Sequence, residues 1–219
     1  MIRNLSHKVF QCIYLLQDIM KSRSFLHITT NVTTGLQYEE GILYESAGLY
    51  GKSTLRKVDR ATGAVLAKVS LEKKYFAEGM CIVGNYIYML TWKERTLLIY
   101  DKNSLELIGS KSYSTHTGEG WGITYDGTNL IVSDGSNFLM FYSLPSDLTT
   151  PEQLVQIRKV RVVDPETDAD VRHVNELEYV DGYVYANLWY KVCTLYTSLS
   201  SLRLCVFIPS CNVHSIDIG

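Results

Sequence analysis

The sequence predicts an all-β chain, a β-propeller, on three observations. The phrase from Glu119 to Ser136, EGWGITYDGTNLIVSDGS, joins two short strands through Asp126-Gly127 and closes in a loop at Asp134-Gly135-Ser136. Looser copies start near Gly35, Glu78 and Asn175, at intervals of about 44, 41 and 56 residues, a period typical of repeat arrays. Between the copies, alternating segments and glycine turns raise the count to four strands per unit, the make-up of a propeller blade.

In the first unit, strands over 36–38 and 42–45 meet at Glu40-Gly41. A half-buried alternation over 53–59 then runs through the hairpin Arg60-Ala61-Thr62-Gly63 into 64–69, with glycine where φ is expected to be positive. The second unit repeats this over 79–82, 86–90, 96–101 and 105–110. The third gives 122–125, 130–133, 138–142 and a last strand within 154–163. The fourth opens with 176–179 and 184–188, and after Tyr190-Lys191 the grammar stops. Three complete blades and about half of another make an incomplete propeller over 31–191, with a poorly assignable segment at 1–30 and a divergent tail at 192–219. Propellers normally close with four or more blades, and an open array exposes strand edges. The expectation is a chain cut short, its tail translated from unspliced sequence beginning at Val192; a continuous exon across that codon would refute this.

At 219 residues, with 46% hydrophobic and 20% charged residues, the composition suits a globular domain of one substantial core. A net charge of −2 gives no reason to expect nucleic acid as a partner. Sixteen tyrosines and four prolines suit strands. Five cysteines without close pairs fit neither a disulfide framework nor a zinc pattern and read as small apolar residues. The apolar run at 9–16 follows basic residues but is cut by Gln17 and Asp18, with no small-residue cleavage site, so no signal peptide and no membrane span is read there. Two sequons, Asn4-Leu5-Ser6 and Asn31-Val32-Thr33, matter only on a secretory route.

In a propeller, the first strand of each blade lines the axis. Aligning the four units places Thr34, Glu78, Glu119 and Asn175 at one level, each just before an apolar strand. Such a polar ring either hydrogen-bonds neighbouring blades or forms an axial pocket with a carboxylate able to move protons. Three tryptophans gather at the same end: Trp121 near a blade head, and Trp92 and Trp189 just after second strands. As a pocket wall they offer an apolar face, indole N–H donors and an attraction for ammonium groups.

The stretches GLQYEEGILYESAGLYGKSTLRKVD (35–59), YFAEG (75–79), LTWKE (90–94), YDKNSLE (100–106), EGWGITYDGTNLIVSDGS (119–136) and NELEYVDGYVYANLWY (175–190) closely resemble the plant and bacterial-type glutaminyl-peptide cyclotransferases. The resemblance covers roughly 32–191. It implies a five-bladed β-propeller, unrelated to the zinc-dependent animal enzymes, that cyclises the N-terminal glutamine of peptides or proteins to pyroglutamate with release of ammonia. It further implies no metal or cofactor, a monomer and a secretory route. The family's catalytic glutamate falls on Glu78 with Phe76 beside it, its asparagine on Asn175 as oxyanion donor, and its pocket tryptophans on Trp92, Trp121 and Trp189. Thr34 and Glu119 are taken as further substrate-binding positions.

Two departures stand out. Where the family has Phe-Thr-Gln-Gly-Leu, this chain has Val32-Thr33-Thr34-Gly35-Leu36, and no position matches the lysine that the family brings beside its asparagine. Loss of one electrostatic donor of that kind costs on the order of 10²–10³ in rate, so little activity is expected of this chain. The competing readings are a catalytically impaired form or non-catalytic binding propeller, and a metal-dependent propeller hydrolase. The three tryptophans argue against the last, because hard cations want oxygen ligands and water.

Overall fold

The computed structural model describes residues 32–164, 166–180 and 182–189, together with the backbone of three further strands between 194 and 217. The expectations placed on residues 1–30, including the Asn4 sequon, and on Asn31 lie outside the described residues. The described chain is all β, without a helix, in four antiparallel sheets. The first sheet runs in the order β1 (Val32–Glu39), β2 (Ile42–Gly48), β3 (Thr54–Asp59), β4 (Val65–Ser70). The second is β5 (Ala77–Val83), β6 (Tyr86–Thr91), β7 (Thr96–Asp101), β8 (Leu107–Ser112). The third is β9 (Ile123–Tyr125), β10 (Asn129–Val132), β11 (Phe138–Ser143), β12 (Gln156–Arg161). The fourth starts with β13 (Val174–Val180) and β14 (Tyr183–Leu188).

Turn chemistry explains the meander. Glu40 and Gly41 both have positive φ (49° and 89°), as a two-residue hairpin with the right-handed twist of its strands requires. At the third-to-fourth-strand turns an aspartate does the folding. Asp59 Oδ1 accepts from the N–H and hydroxyl of Thr62, and Asp101 Oδ1 from the N–H groups of Asn103 and Ser104.

The sheets stack face to face, and side-chain alternation divides the core between them. Ile87 and Met89 of β6 pack with Tyr44, Leu55 and Met80 between the first two sheets. Their neighbours Tyr88 and Leu90 pack with Ile123, Leu130 and Met140 between the second and third. Burial on both faces explains why middle strands such as YIYMLT read as continuous apolar runs. The outermost strands β4 and β12 are largely exposed. The innermost strands β1, β5, β9 and β13 lie side by side in sequence order, as propeller blades do around an axis.

One expectation changes. The strand grammar does not end at Lys191. The backbone of β15 (Thr194–Ser198), β16 (Arg203–Phe207) and β17 (His214–Asp217) extends the fourth sheet to five strands, so four sheets form where three and a half blades were legible. The physical reason is general. The open edge of β14 presents unpaired N–H and C=O groups that any extended segment can satisfy, with or without a recognisable turn signature.

Candidate functional site

The site is built where the innermost strands begin. At Gly35, Gly79 and Gly122 a Cβ would collide with the next blade. It would lie 3.0 Å from Gly79 Cα, 2.8 Å from Gly122 Cα and 2.7 Å from Glu176 Cα, respectively. These four residues therefore share one level of the axis, and the residues before them, Thr34, Glu78, Trp121 and Asn175, form the level above. This corrects the sequence alignment, which put Glu119 at the head of the third blade. EGWG contains two x-Gly pairs, and the close approach of β13 selects Gly122 rather than Gly120, which instead lies against the Tyr113 hydroxyl.

β-Bulges turn three of these heads. Register shifts fall between Thr33 and Gly35, Ala77 and Met80, and Val174 and Leu177, so that Thr34, Glu78 and Asn175 each stand in an irregular step of their strand. Second-strand hydroxyls then tie one blade to the next. Ser46 Oγ donates to Glu78 O (2.6 Å), and Ser133 Oγ to Asn175 O (2.5 Å). The Thr34 hydroxyl donates to Ala77 O (2.9 Å), so at Thr34 the ring residue serves the contact between blades.

Glu78 is the chemically distinctive group. Burial, then the charges of Glu119 and Glu94, push its carboxyl from 4.5 up to about 9, so it is a neutral acid at pH 7. An aromatic ladder stands beside it. Tyr50 meets Phe76 edge-on at 5.3 Å, and Phe76 meets Trp92 at 5.6 Å. The Tyr50 hydroxyl donates to Glu94 Oε1 (2.8 Å), whose other oxygen accepts the Phe76 N–H (3.4 Å). Tyr50 and Glu94 were not singled out in the sequence. Both lie inside quoted motifs, but only packing shows that Glu94 anchors the ladder.

Glu119 has a different place from that expected. Its Oε2 accepts both indole N–H groups, from Trp92 at 2.7 Å and Trp121 at 2.9 Å. The two indoles are thus oriented by a carboxylate rather than offering their N–H groups to a ligand. Lys93 Nζ lies 3.9 Å from Glu119 Oε1 and 3.9 Å from the centre of a Trp92 ring. The indole of Trp121 rests on Gly135, where a Cβ would stand 2.6 Å from it and φ is 75°. Trp92 and Trp189 are structural equivalents. Each backbone N–H donates to the carbonyl two residues before a blade head, Trp92 to Phe76 O (3.0 Å) and Trp189 to His173 O (2.8 Å). Trp189 is 42% exposed and Val32 58%.

Glu119→Gln is expected to lower the titration point of Glu78, because a nearby negative charge is removed while the amide oxygen can still accept from the indoles. The shift is read from the Glu78 carboxyl carbon resonance against pH; an unmoved curve would contradict the charge coupling.

Among the described residues no three His, Cys, Asp or Glu side chains gather so as to hold a metal ion, and no helix is long and apolar enough to cross a membrane. The end of the axis is instead acidic and aromatic, a combination that attracts an ammonium group.

A family model described as Glutamine cyclotransferase matches residues 14–204, extending past both ends of the stretch on which the resemblance was read. The chain is 32% identical over 191 residues to the glutaminyl-peptide cyclotransferase of Arabidopsis thaliana, covering 87% of this chain and 54% of that protein, so it spans about half the length of that relative. Its fold is similar to that of Myxococcus xanthus glutaminyl cyclase (TM-score 0.66, 23% identity, 88% of this chain and 94% of that one). It is also similar to that of U3-55K (TM-score 0.55, 14% identity, 88% and 56%). The four sheets and the axial heads are thus those of a propeller, and the chain belongs to the glutamine cyclotransferase family.

Proposed function

We propose that the site around Glu78 cyclises an N-terminal glutamine of a peptide or protein to pyroglutamate, releasing ammonia. The observation that carries this reading is a buried carboxyl held neutral near pH 7, beside aromatic rings and at one axial level with Asn175. The α-amino group, with an ordinary pKa of about 7.7–8.0, attacks in its neutral form. As its nitrogen bonds to the side-chain amide carbon, Asn175 donates to the developing oxyanion. The C–N bond to the leaving group breaks as the Glu78 proton passes to that nitrogen, and the proton shed by the new ring nitrogen restores the acid. One ammonia leaves per ring formed, and Glu78 ends as it began. Phe76, Trp92, Trp121 and Trp189 supply the wall, Glu119 orients two of its indoles, and Thr34 holds the first blade against the second. No metal enters the scheme.

The test is ammonia release from a glutamine-initiated dipeptide, with and without EDTA, using Glu78→Gln as the blank. Release above the blank and unchanged by chelation supports the reading. Release equal to the blank, or abolished by EDTA, refutes it.

A further inference from the structure

Lys93 is a charged group beside the aromatic wall that the cyclisation scheme does not use. It lies on the loop between β6 and β7, directly after Trp92, and its side chain is 54% exposed. Its Nζ stands 3.9 Å from the centre of a Trp92 ring and 3.9 Å from Glu119 Oε1. The second distance is too long for a hydrogen bond, so the contact with Glu119 is Coulombic and leaves the ammonium N–H donors for other acceptors. The indole face draws the cation down onto the wall while its outer side stays in water.

The neighbouring groups already have their tasks. Glu119 Oε2 accepts both indole N–H groups, and Glu94 accepts from the Tyr50 hydroxyl and the Phe76 N–H. Arg95, the other cation of the loop, donates from Nε to Gly118 O (3.2 Å). The charges that act on the buried Glu78 carboxyl are those of Glu119 and Glu94, so Lys93 stands apart from the proton chemistry. A glutamine seated between Glu78 and the wall has its side chain directed inward and the rest of its peptide leading outward. The exposed end of that wall is where Lys93 lies, and the residue after the glutamine passes it.

We propose that Lys93 is a specificity-determining residue at the rim, which pairs with a side-chain carboxylate on the residue that follows the N-terminal glutamine. The inference rests on the cyclisation reading, which seats the glutamine. An ammonium held by a ring face and a long ion pair turns to such a carboxylate without giving up a hydrogen bond. Because the pair forms in water, it is modest in strength and screened by salt.

The probes are the C-terminally amidated tripeptides Gln-Glu-Ala and Gln-Gln-Ala, which differ in one charge and carry no terminal carboxylate to take its place. At low salt kcat/KM for ammonia release should favour the acidic peptide about three- to fivefold, as an exposed ion pair supplies, and the preference should shrink in about 0.5 M sodium chloride. Lys93→Met, which keeps an apolar stem on Trp92, should abolish the preference, Lys93→Glu invert it and Lys93→Arg retain it. A role confined to holding Glu119 would change both rates alike and leave their ratio unmoved. Equal rates in the wild type, or an unchanged ratio in Lys93→Met, would overturn the proposal. The same two peptides in pyroglutamyl form, titrated against the fluorescence of the tryptophan wall, read binding without turnover. Tighter binding of the acidic product without cyclisation would refute only the proposed activity; cyclisation without an acidic preference would refute only the role of Lys93.

Discussion

Glu78→Gln is expected to lower turnover of a glutaminyl dipeptide by on the order of 10²–10⁴ while leaving KM within a few-fold, because the amide keeps the shape and loses the proton transfer. It is also expected to stabilise the fold. The carboxyl is raised from 4.5 to about 9 in the folded chain, so its contribution is fully present below about 4.5 and is lost as pH rises through about 9. At pH 7 an unfolded chain ionises this group and the folded chain does not, which favours unfolding by about 3.4 kcal/mol at about 1.36 kcal/mol per pH unit above 4.5. Glutamine carries no such penalty. Urea denaturation should therefore show wild type and variant equal near pH 4 and diverging up to pH 9. A difference that does not vary with pH would remove the raised pKa, and unchanged turnover would remove Glu78 from the chemistry. In the wild type, kcat/KM should form a narrow bell, rising as the substrate amine deprotonates near pH 8 and falling as Glu78 ionises near pH 9.

Gly122→Ala is expected to cost about 3 kcal/mol, at the upper end of what overpacking usually costs. The new methyl would lie 2.2 Å from Asn175 O and 2.7 Å from Glu176 Cα, and both neighbours are backbone or bonded directly to it. Relief requires β9 and β13 to separate. That strains the 2.5 Å hydrogen bond from Ser133 to Asn175 O and displaces the proposed oxyanion donor, so activity should fall with stability. Gly127→Ala is the control. Nothing lies within 4 Å of its added methyl, and the only penalty is the positive φ of 94°, about 1 kcal/mol. Equal losses in the two variants would show that conformation rather than close approach explains Gly122.

Much of the site was legible because it rests on short-range pattern. Polar residues just before the innermost strands mark the blade heads, with glycine next at Thr34 and Glu78 and glutamate next at Asn175, and that pattern put Thr34, Glu78 and Asn175 on one level. Trp92 and Trp189 each directly follow a second strand, so their equivalence is a property of local pattern. Glu119 was misplaced because two glycines in EGWG satisfy the same local rule, and only the distance to β13 separates them. Tyr50, Glu94 and Glu176 gave no local signal at all. Tyr50 reaches Glu94 across 44 residues of sequence and Glu176 reaches Gly79 across 97, contacts no window of the chain contains.

The sequence by itself determined the strand grammar, the repeat and the family, since alternation, turn residues and motifs are properties of neighbouring residues. The tertiary structure alone decided the continuation of the fourth sheet beyond Lys191, the pairing of two indoles on Glu119, and the approach of Glu176 to Gly79. Each of these depends on how far apart the blades stand, and that distance is set by the packing of whole sheets rather than by any residue and its neighbours.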